Sequence, residues 1–201
     1  MGYNFTFCVV CLFILTVVSV PPTGVNFGFL FFSPKIGVIL QSLNCNGLSS
    51  MTKLETIKRF ADDLRYEILF LQETHVSDLK KKLIFETLFN VKSYWSPGGR
   101  RSRGVAIFVK NTAPIKVDNF SNDFEGRILK VNITYADTAF CLVNVYLPTI
   151  TSLRSEKIRE LHDWLVTDRI LVLGGDFNFV EDRDLDKLGG DALSGSCGIE
   201  A

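Results

Sequence analysis

From Ile36 onward, short apolar runs of strand length alternate with stretches whose apolar residues recur at helical spacing. Ile36 to Leu43 runs into the turn-forming Asn44-Cys45-Asn46-Gly47 and reads as a buried first strand. Ser49 and Ser50 can cap a helix over 52–65, with Leu54, Ile57, Phe60, Ala61 and Leu64 on one face. Glu67 to Glu73 reads as a second buried strand, and Asp78 to Phe89 as a short lysine-rich helix. The β-branched and aromatic runs Gly104–Val109, Ile128–Tyr135 and Phe140–Leu147, the last two joined tightly at Ala136–Thr138, predict a β-meander. A helix over Leu153–Val166 turns Ile158, Leu161, Trp164 and Leu165 inward, and Arg169–Gly175 is a further apolar strand leading into Asp176-Phe177-Asn178. Strands outnumber helices and the two alternate irregularly. That favours an α/β fold built as a layered sandwich of mixed β-sheets over a doubly wound parallel sheet.

Composition changes this picture at one place. Met1 to Pro34 contains no Asp, Glu, Lys or Arg, which sets a boundary between an apolar segment 1–34, expected outside the domain and not packed into its core, and a domain over 35–201. Phe5 to Val20 has the apolar character of a signal or membrane anchor, yet no basic residue precedes it and Pro21-Pro22 follow directly. The other reading is translated upstream sequence. With a real signal or anchor the protein is secreted or membrane-associated through residues 5–20; without one it is nuclear or cytoplasmic. Lys plus Arg and Asp plus Glu both total 22, so no overall field draws the chain to nucleic acid or an anionic membrane, and such contacts must be local. Five cysteines without repeating spacing argue against a disulfide framework, and the Cys8/Cys11 pair lies in an apolar run with no second pair or His beside it.

Three strand ends carry polar groups that can ligate a cation or position a phosphate: Asn44 and Asn46, Glu73, and Asp176 with Asn178. A hard cation such as Mg²⁺ selects oxygen ligands and keeps several waters, so one carboxylate and one amide carbonyl from separate strands make a half-site. Each residue alone is an ordinary turn or cap residue; the set is more specific. For it to work, these side chains must converge at one end of the sheets, which calls for the first and last of these strands to be sheet neighbours.

The strings Ser42-Leu43-Asn44-Cys45-Asn46-Gly47-Leu48, Phe70-Leu71-Gln72-Glu73-Thr74-His75, Arg103-Gly104-Val105-Ala106-Ile107, Asn144-Val145-Tyr146 and Gly175-Asp176-Phe177-Asn178 follow one another in order. Together they resemble the endonuclease/exonuclease/phosphatase superfamily, and the Gln-Glu-Thr-His version is most similar to the endonuclease of LINE-type (non-LTR) retrotransposons. The resemblance implies a deoxyribonuclease I-like sandwich, DNA as substrate with no small-molecule cofactor, and Mg²⁺, with Mn²⁺ as its substitute. It implies Glu73 as principal metal ligand with Asn44 near the metal, Asn46 behind them, Tyr146 on the phosphate, Asp176 orienting or deprotonating the attacking water, and Asn178 holding that aspartate.

Two departures from the family pattern stand out. Leu147-Pro148-Thr149 puts a hydroxyl where the family has an amide on the phosphate. The family's closing Ser-Asp-His motif does not occur before Ala201, so the resemblance implies an incomplete domain, C-terminally truncated, with impaired activity. His75, Arg101 and Arg103 are further candidates for phosphate or DNA contact, whereas Lys80, Lys81 and Lys82 read as a solvated helix face and the acidic stretch from Glu181 as a surface loop. A cellular phosphodiesterase or phosphatase of the same superfamily, and a non-catalytic remnant, are the competing readings.

Overall fold

The computed structural model describes residues 18–20, 25–31, 38–48, 50–63, 65–99 and 101–178. In chain order these form β1 (Val18–Val20), β2 (Val25–Phe31), β3 (Ile39–Asn44), α1 (Met51–Asp63), β4 (Ile68–Gln72), a 3₁₀ turn (Leu79–Lys81) leading into α2 (Lys82–Phe89), β5 (Val91–Ser96), β6 (Val105–Lys110), β7 (Ile115–Asn122), β8 (Ile128–Tyr135), β9 (Thr138–Tyr146), α3 (Thr151–Leu165) and β10 (Ile170–Asp176). Two mixed sheets result. One is six-stranded in the order β1-β2-β3-β4-β6-β5, the other four-stranded in the order β10-β9-β8-β7.

Side-chain alternation along each strand sets the layers. In β3, β4 and β6, residues Leu40, Ile68, Phe70, Val105, Ile107 and Val109 meet Leu129, Val131, Phe140, Leu142 and Val172 of the smaller sheet in one core. The opposite faces of the larger sheet's strands, including Leu43, Leu69, Leu71, Ala106 and Phe108, pack against Leu54, Ile57 and Ala61 of α1 and Phe85 and Phe89 of α2. On the far side, Cys141, Val143, Val145, Leu171 and Leu173 lie under Leu161 of α3. The order of layers is therefore helix, sheet, sheet, helix, as the pattern of elements predicts. Ser50 caps α1 as expected, its Oγ accepting from Lys53 N–H at 3.3 Å. Ala136 and Asp137 take φ of 45° and 60°, the left-handed pair that closes a two-residue hairpin between β8 and β9.

One cluster of polar groups is buried between the sheets. Gln72 on β4 donates from Nε2 to Ser42 Oγ at 3.0 Å and to Asn144 Oδ1 at 2.7 Å. Asn144 on β9 donates from Nδ2 to Leu71 O at 3.0 Å and Ala106 O at 2.8 Å. By alternation, Asn144 shares the inward face of β9 with Phe140, Leu142 and Tyr146, so its amide crosses the gap and ties the smaller sheet to two strands of the larger one.

Several expectations are corrected. Val105–Lys110 belongs to the larger sheet, between β4 and β5, because both of its faces are apolar and buried; the meander is β7-β8-β9 instead. The strands carrying Asn44 and Asp176 are not sheet neighbours: β10 runs parallel to β9, β3 runs parallel to β4, and β10 lies over β3 and β4 in the facing sheet. In α3 the buried positions are Lys157 and Leu161, while Ile158 is exposed, because Lys157 Nζ finds Glu125 at 3.0 Å and Glu160 at 2.6 Å. The sheet also extends upstream of Lys35. β2 pairs antiparallel with β3 from Asn26↔Asn44 to Phe31↔Ile39, and β1 pairs with β2, so hydrogen bonding does not stop at residue 34. An outer edge on β3 needs a partner, and a run without Pro or charge can supply one. Most of 5–20, the acidic stretch from Glu181, and Cys8, Cys11 and Cys197 lie outside the described residues. Among the described residues no helix is long and apolar enough to cross a membrane.

Removing the Asn144 amide would take one hydrogen bond each from Gln72 Nε2, Leu71 O and Ala106 O inside a buried interface. Asn144→Ala is expected to lower unfolding stability by about 2 to 4 kcal/mol in a urea titration, the cost of unpaired buried polar groups. A loss below about 0.5 kcal/mol, the level of an ordinary surface substitution, would refute the clamp.

Candidate active site

The C-terminal ends of β3, β4, β9 and β10 converge, and each delivers one polar side chain. Asn44 is the last residue of β3 and sits on the inward face with Leu40 and Ser42. Its Nδ2 donates to Glu73 Oε1 and to Asp176 Oδ2, both at 2.8 Å. Its Oδ1 accepts from Asn46 N–H at 3.0 Å. One amide thus joins two carboxylates that come from opposite sheets.

Glu73 reaches this place through a break in its strand. Strict alternation after Phe70 and Gln72 would send residue 73 to the helix-covered face. Instead Glu73 adopts φ 51°, a left-handed conformation that costs a non-glycine residue about 1 to 2 kcal/mol. The turn is held by backbone bonds from Gly47 N–H to Glu73 O at 2.6 Å and from Leu48 N–H to Thr74 O at 2.9 Å. Asn46, His75, Arg103 and Asn178 also take positive φ, so left-handed residues ring the site. Gly104 bonds Thr74 N–H through its carbonyl and has φ 94°; a Cβ there would collide with Thr74 Oγ1. At Gly175, φ 133° and the approach of Val145 O leave no room for a side chain, which allows β10 to carry Asp176 close beside β9.

Asp176 is held at both oxygens, Oδ2 by Asn44 and Oδ1 by Asn178 N–H at 2.9 Å. Asn178 is fixed in turn by Nδ2 donating to Leu147 O at 2.6 Å. Tyr146, half-buried at the end of β9, has its pKa pushed up from the ordinary 10.0 by burial first and then by the charge of Glu73 and a hydrogen bond to it. Its hydroxyl therefore keeps its proton. Cys45, between the two asparagines, is buried and its thiol is pushed up to about 12 by that burial, so it is a packing residue without thiolate chemistry.

The expected residues are not all brought together in the same way. Asn44, Glu73, Tyr146, Asp176 and Asn178 converge. His75 Nε2 lies 3.4 Å from Glu73 Oε2 but is not aligned for a hydrogen bond, and it is buried without a partner. Asn46 acts through its backbone, its side chain being exposed. Arg103 accepts His75 N–H at its carbonyl at 3.0 Å, Arg101 is exposed in the adjoining turn, and Thr149 is exposed with its carbonyl taken by Arg154. Asn44 was expected to offer an oxygen to the cation; here that oxygen faces Asn46 N–H, and the NH₂ group serves the two anions.

Sequence reasoning missed Arg127. Its Nη1 donates to Tyr146 O at 3.1 Å, its guanidinium stands 5.5 Å from the Tyr146 ring centroid, and burial together with the neighbouring charge of Arg103 pulls its pKa down. The sequence signal was Gly126-Arg127 directly before a strand that pairs with the motif strand β9.

Residues 42–194 match the model of the Endonuclease/Exonuclease/phosphatase family. The chain belongs to that family. It is also 28% identical over 151 residues to the Transposon TX1 uncharacterized 149 kDa protein of Xenopus laevis, covering 71% of this chain and 11% of that protein. Among solved structures, an AP endonuclease from Archaeoglobus fulgidus aligns with a TM-score of 0.55 at 20% identity, covering 72% of this chain and 58% of that one. TDP2 of D. rerio, complexed with a single strand DNA product, aligns with a TM-score of 0.53 at 14% identity, covering 71% and 61%. At these identities the structures bear on the fold alone, a deoxyribonuclease I-like α/β sandwich. The chain spans about a tenth of the curated relative's length and less than two thirds of these two structures.

The Tyr146 environment gives a direct test. In NMR spectra of protein with ¹³C-labelled tyrosine Cζ, the resonance that disappears in Tyr146→Phe should titrate above 10.0, and Glu73→Gln should bring it part of the way back, burial being the larger cause. Because the fold favours the neutral phenol, the stability linked to it is complete below the unfolded value and falls as pH rises past it. Titration at the ordinary value would contradict the placement of Glu73 against Tyr146.

Proposed function

We propose that this chain hydrolyses phosphodiester bonds in DNA with a divalent cation, Mg²⁺ or Mn²⁺, as the nicking endonuclease of a non-LTR retrotransposon. The observation that carries the reading is the Asn44 amide joining Glu73 and Asp176, with the protonated Tyr146 beside them. The likeness to a transposon protein supports the retrotransposon assignment, and the DNA bound to the structurally similar TDP2 supports the substrate class.

The donor set fits a hard cation. Among the described residues there is no ready group of three His, Cys, Asp or Glu. Two carboxylates brought against one neutral amide are nevertheless an anionic, oxygen-rich centre, and His75 Nε2, 3.4 Å from Glu73 Oε2, makes no hydrogen bond. Glu73 would hold the cation, with Asn44 and Asp176 adjoining. When bound, it would supply charge stabilisation on phosphoryl oxygens.

The chain's own groups divide the remaining work. Asp176, fixed by Asn44 and Asn178, has the defined orientation required to take a proton from a water aimed at phosphorus. Tyr146, kept protonated by burial and by Glu73, can donate to a non-bridging phosphate oxygen. Arg127, its guanidinium 5.5 Å from the Tyr146 ring centroid, adds positive charge next to that phenol.

Supercoiled plasmid supplies the test. Nicking is followed for this chain, where it should require Mg²⁺ or Mn²⁺ and fall at least about a hundredfold in Glu73→Ala and in Asp176→Ala, the scale of losing one electrostatic or acid–base contact. Nicking that survives both substitutions would sink this reading.

A further inference from the structure

Beside the active site, the loop between β7 and β8 is unusually constrained for a surface turn. Asn122 Oδ1 accepts Phe124 N–H at 2.9 Å. Asp123 Oδ1 accepts from Ser96 Oγ at 2.7 Å, Glu125 N–H at 3.1 Å and Arg127 N–H at 3.2 Å. Ser96 Oγ in turn accepts Gly126 N–H at 3.1 Å, and Gly126 O accepts Gly104 N–H at 2.9 Å. Gly104 is the residue whose carbonyl holds Thr74, next to Glu73, so the loop is hung on the backbone of the site itself.

This rigid frame displays an aromatic ring to solvent. Phe124 is 87% exposed and sits at φ 58°. A large apolar side chain held outward by a strained backbone gains nothing for the fold. Three residues on is Arg127, whose guanidinium lies over Tyr146 with the charge of Arg103 beside it. Three residues reach at most about 11 Å, so the backbone of Phe124 stays within that distance of the backbone of Arg127, the residue that touches Tyr146. Of the loop's two acidic side chains, Asp123 is turned to Ser96 and the loop's own N–H groups, and Glu125 meets Lys157 at 3.0 Å.

We infer that the loop Asn122–Arg127 is a nucleic-acid-engaging element in which Arg127 and Arg103 hold a backbone phosphate next to the scissile one and Phe124 stacks on a neighbouring base. An exposed aromatic next to paired cations is the arrangement that binds an unstacked nucleotide: the cations track the backbone and the ring takes the base face without reading its sequence. The inference rests on the nucleic-acid reading of the same site and adds the group that discriminates an accessible base from one stacked in a duplex.

The test is fluorescence anisotropy with the full chain in EDTA, where no cleavage occurs, using a fluorescein-labelled duplex and the same duplex with one unpaired nucleotide. Phe124→Ala should weaken binding of the unpaired-nucleotide duplex by about 5- to 100-fold, the loss expected for one base–aromatic stack, while leaving its salt dependence unchanged. Phe124→Trp should restore binding and Phe124→Leu should not. Arg127→Lys, with an unchanged melting temperature, should weaken both duplexes alike. Equal binding by wild type and Phe124→Ala, or no binding by wild type at all, would overturn the inference. Because Phe124 is exposed, its replacement does not threaten the fold. The two readings fail separately: nicking that persists in Glu73→Ala discards the proposed chemistry, whereas binding that ignores Phe124 discards only the loop.

Discussion

The amide of Asn144 is the interaction on which the site depends. Two sheets packed only by Leu, Ile, Val and Phe could slide by a fraction of a residue at modest cost, since apolar contact is non-directional. Hydrogen bonds are directional, and those of Asn144 and Gln72 leave one register between β9 and the pair β4 and β6. Gln72 is the residue before Glu73, and Asn144 lies two before Tyr146 on the same face. The register they set is therefore the one that places Tyr146 against Glu73 and, through the parallel pairing Asp176↔Tyr146, brings Asp176 to Asn44. Satisfying this buried cluster completely is what keeps it from being a liability.

Much of this was legible in the sequence because it obeys short periods. β8 and the helical faces of α1 follow from spacing alone, and the polar residues after apolar runs marked where the site lies. The central hydrogen-bonding residues were within the recognised strings, yet no local signal told that Asn144 points between the sheets rather than to solvent. Its neighbours Val143 and Val145 face α3, and an apolar run on both sides hides the alternation. β5 and β7 were missed for the opposite reason. Val91–Ser96 mixes Lys92, Ser93 and Ser96 with aromatics, and Ile115–Asn122 is a largely solvent-facing edge, so neither shows a hydrophobic run. The sheet-neighbour error over β3 and β10 has a geometric origin: convergence of side chains at one end of a fold is equally well achieved by facing sheets.

The left-handed residues around the site explain why position along a strand misleads about Glu73. Strand alternation predicts one face, and a single φ of 51° selects the other. No residue-type preference announces this, since glutamate has no special affinity for that region; Gly47 and Gly104 on either side are the visible traces of a backbone that must turn tightly there. Strain of this kind survives only when surrounding bonds over-determine it, and here the carbonyls of Gln72, Glu73 and Thr74 are all taken by the segment Cys45–Leu48.

A neutral chain can still present a polarised site. Glu73, Asp176 and the unionised Tyr146 form an anionic centre, and the Arg127 guanidinium stands 5.5 Å from the Tyr146 ring centroid, near enough to Arg103 to feel its charge. Positive charge close to negative charge makes the net field small at a distance. Close up it is a dipole. On the proposed function, the arginines would attract a phosphate chain, while the carboxylates would oppose it until a cation offset their charge. Affinity and reactivity would then rest on different groups, the arginines holding DNA and the carboxylates serving the chemistry, so that cleavage would depend on the cation even where binding did not.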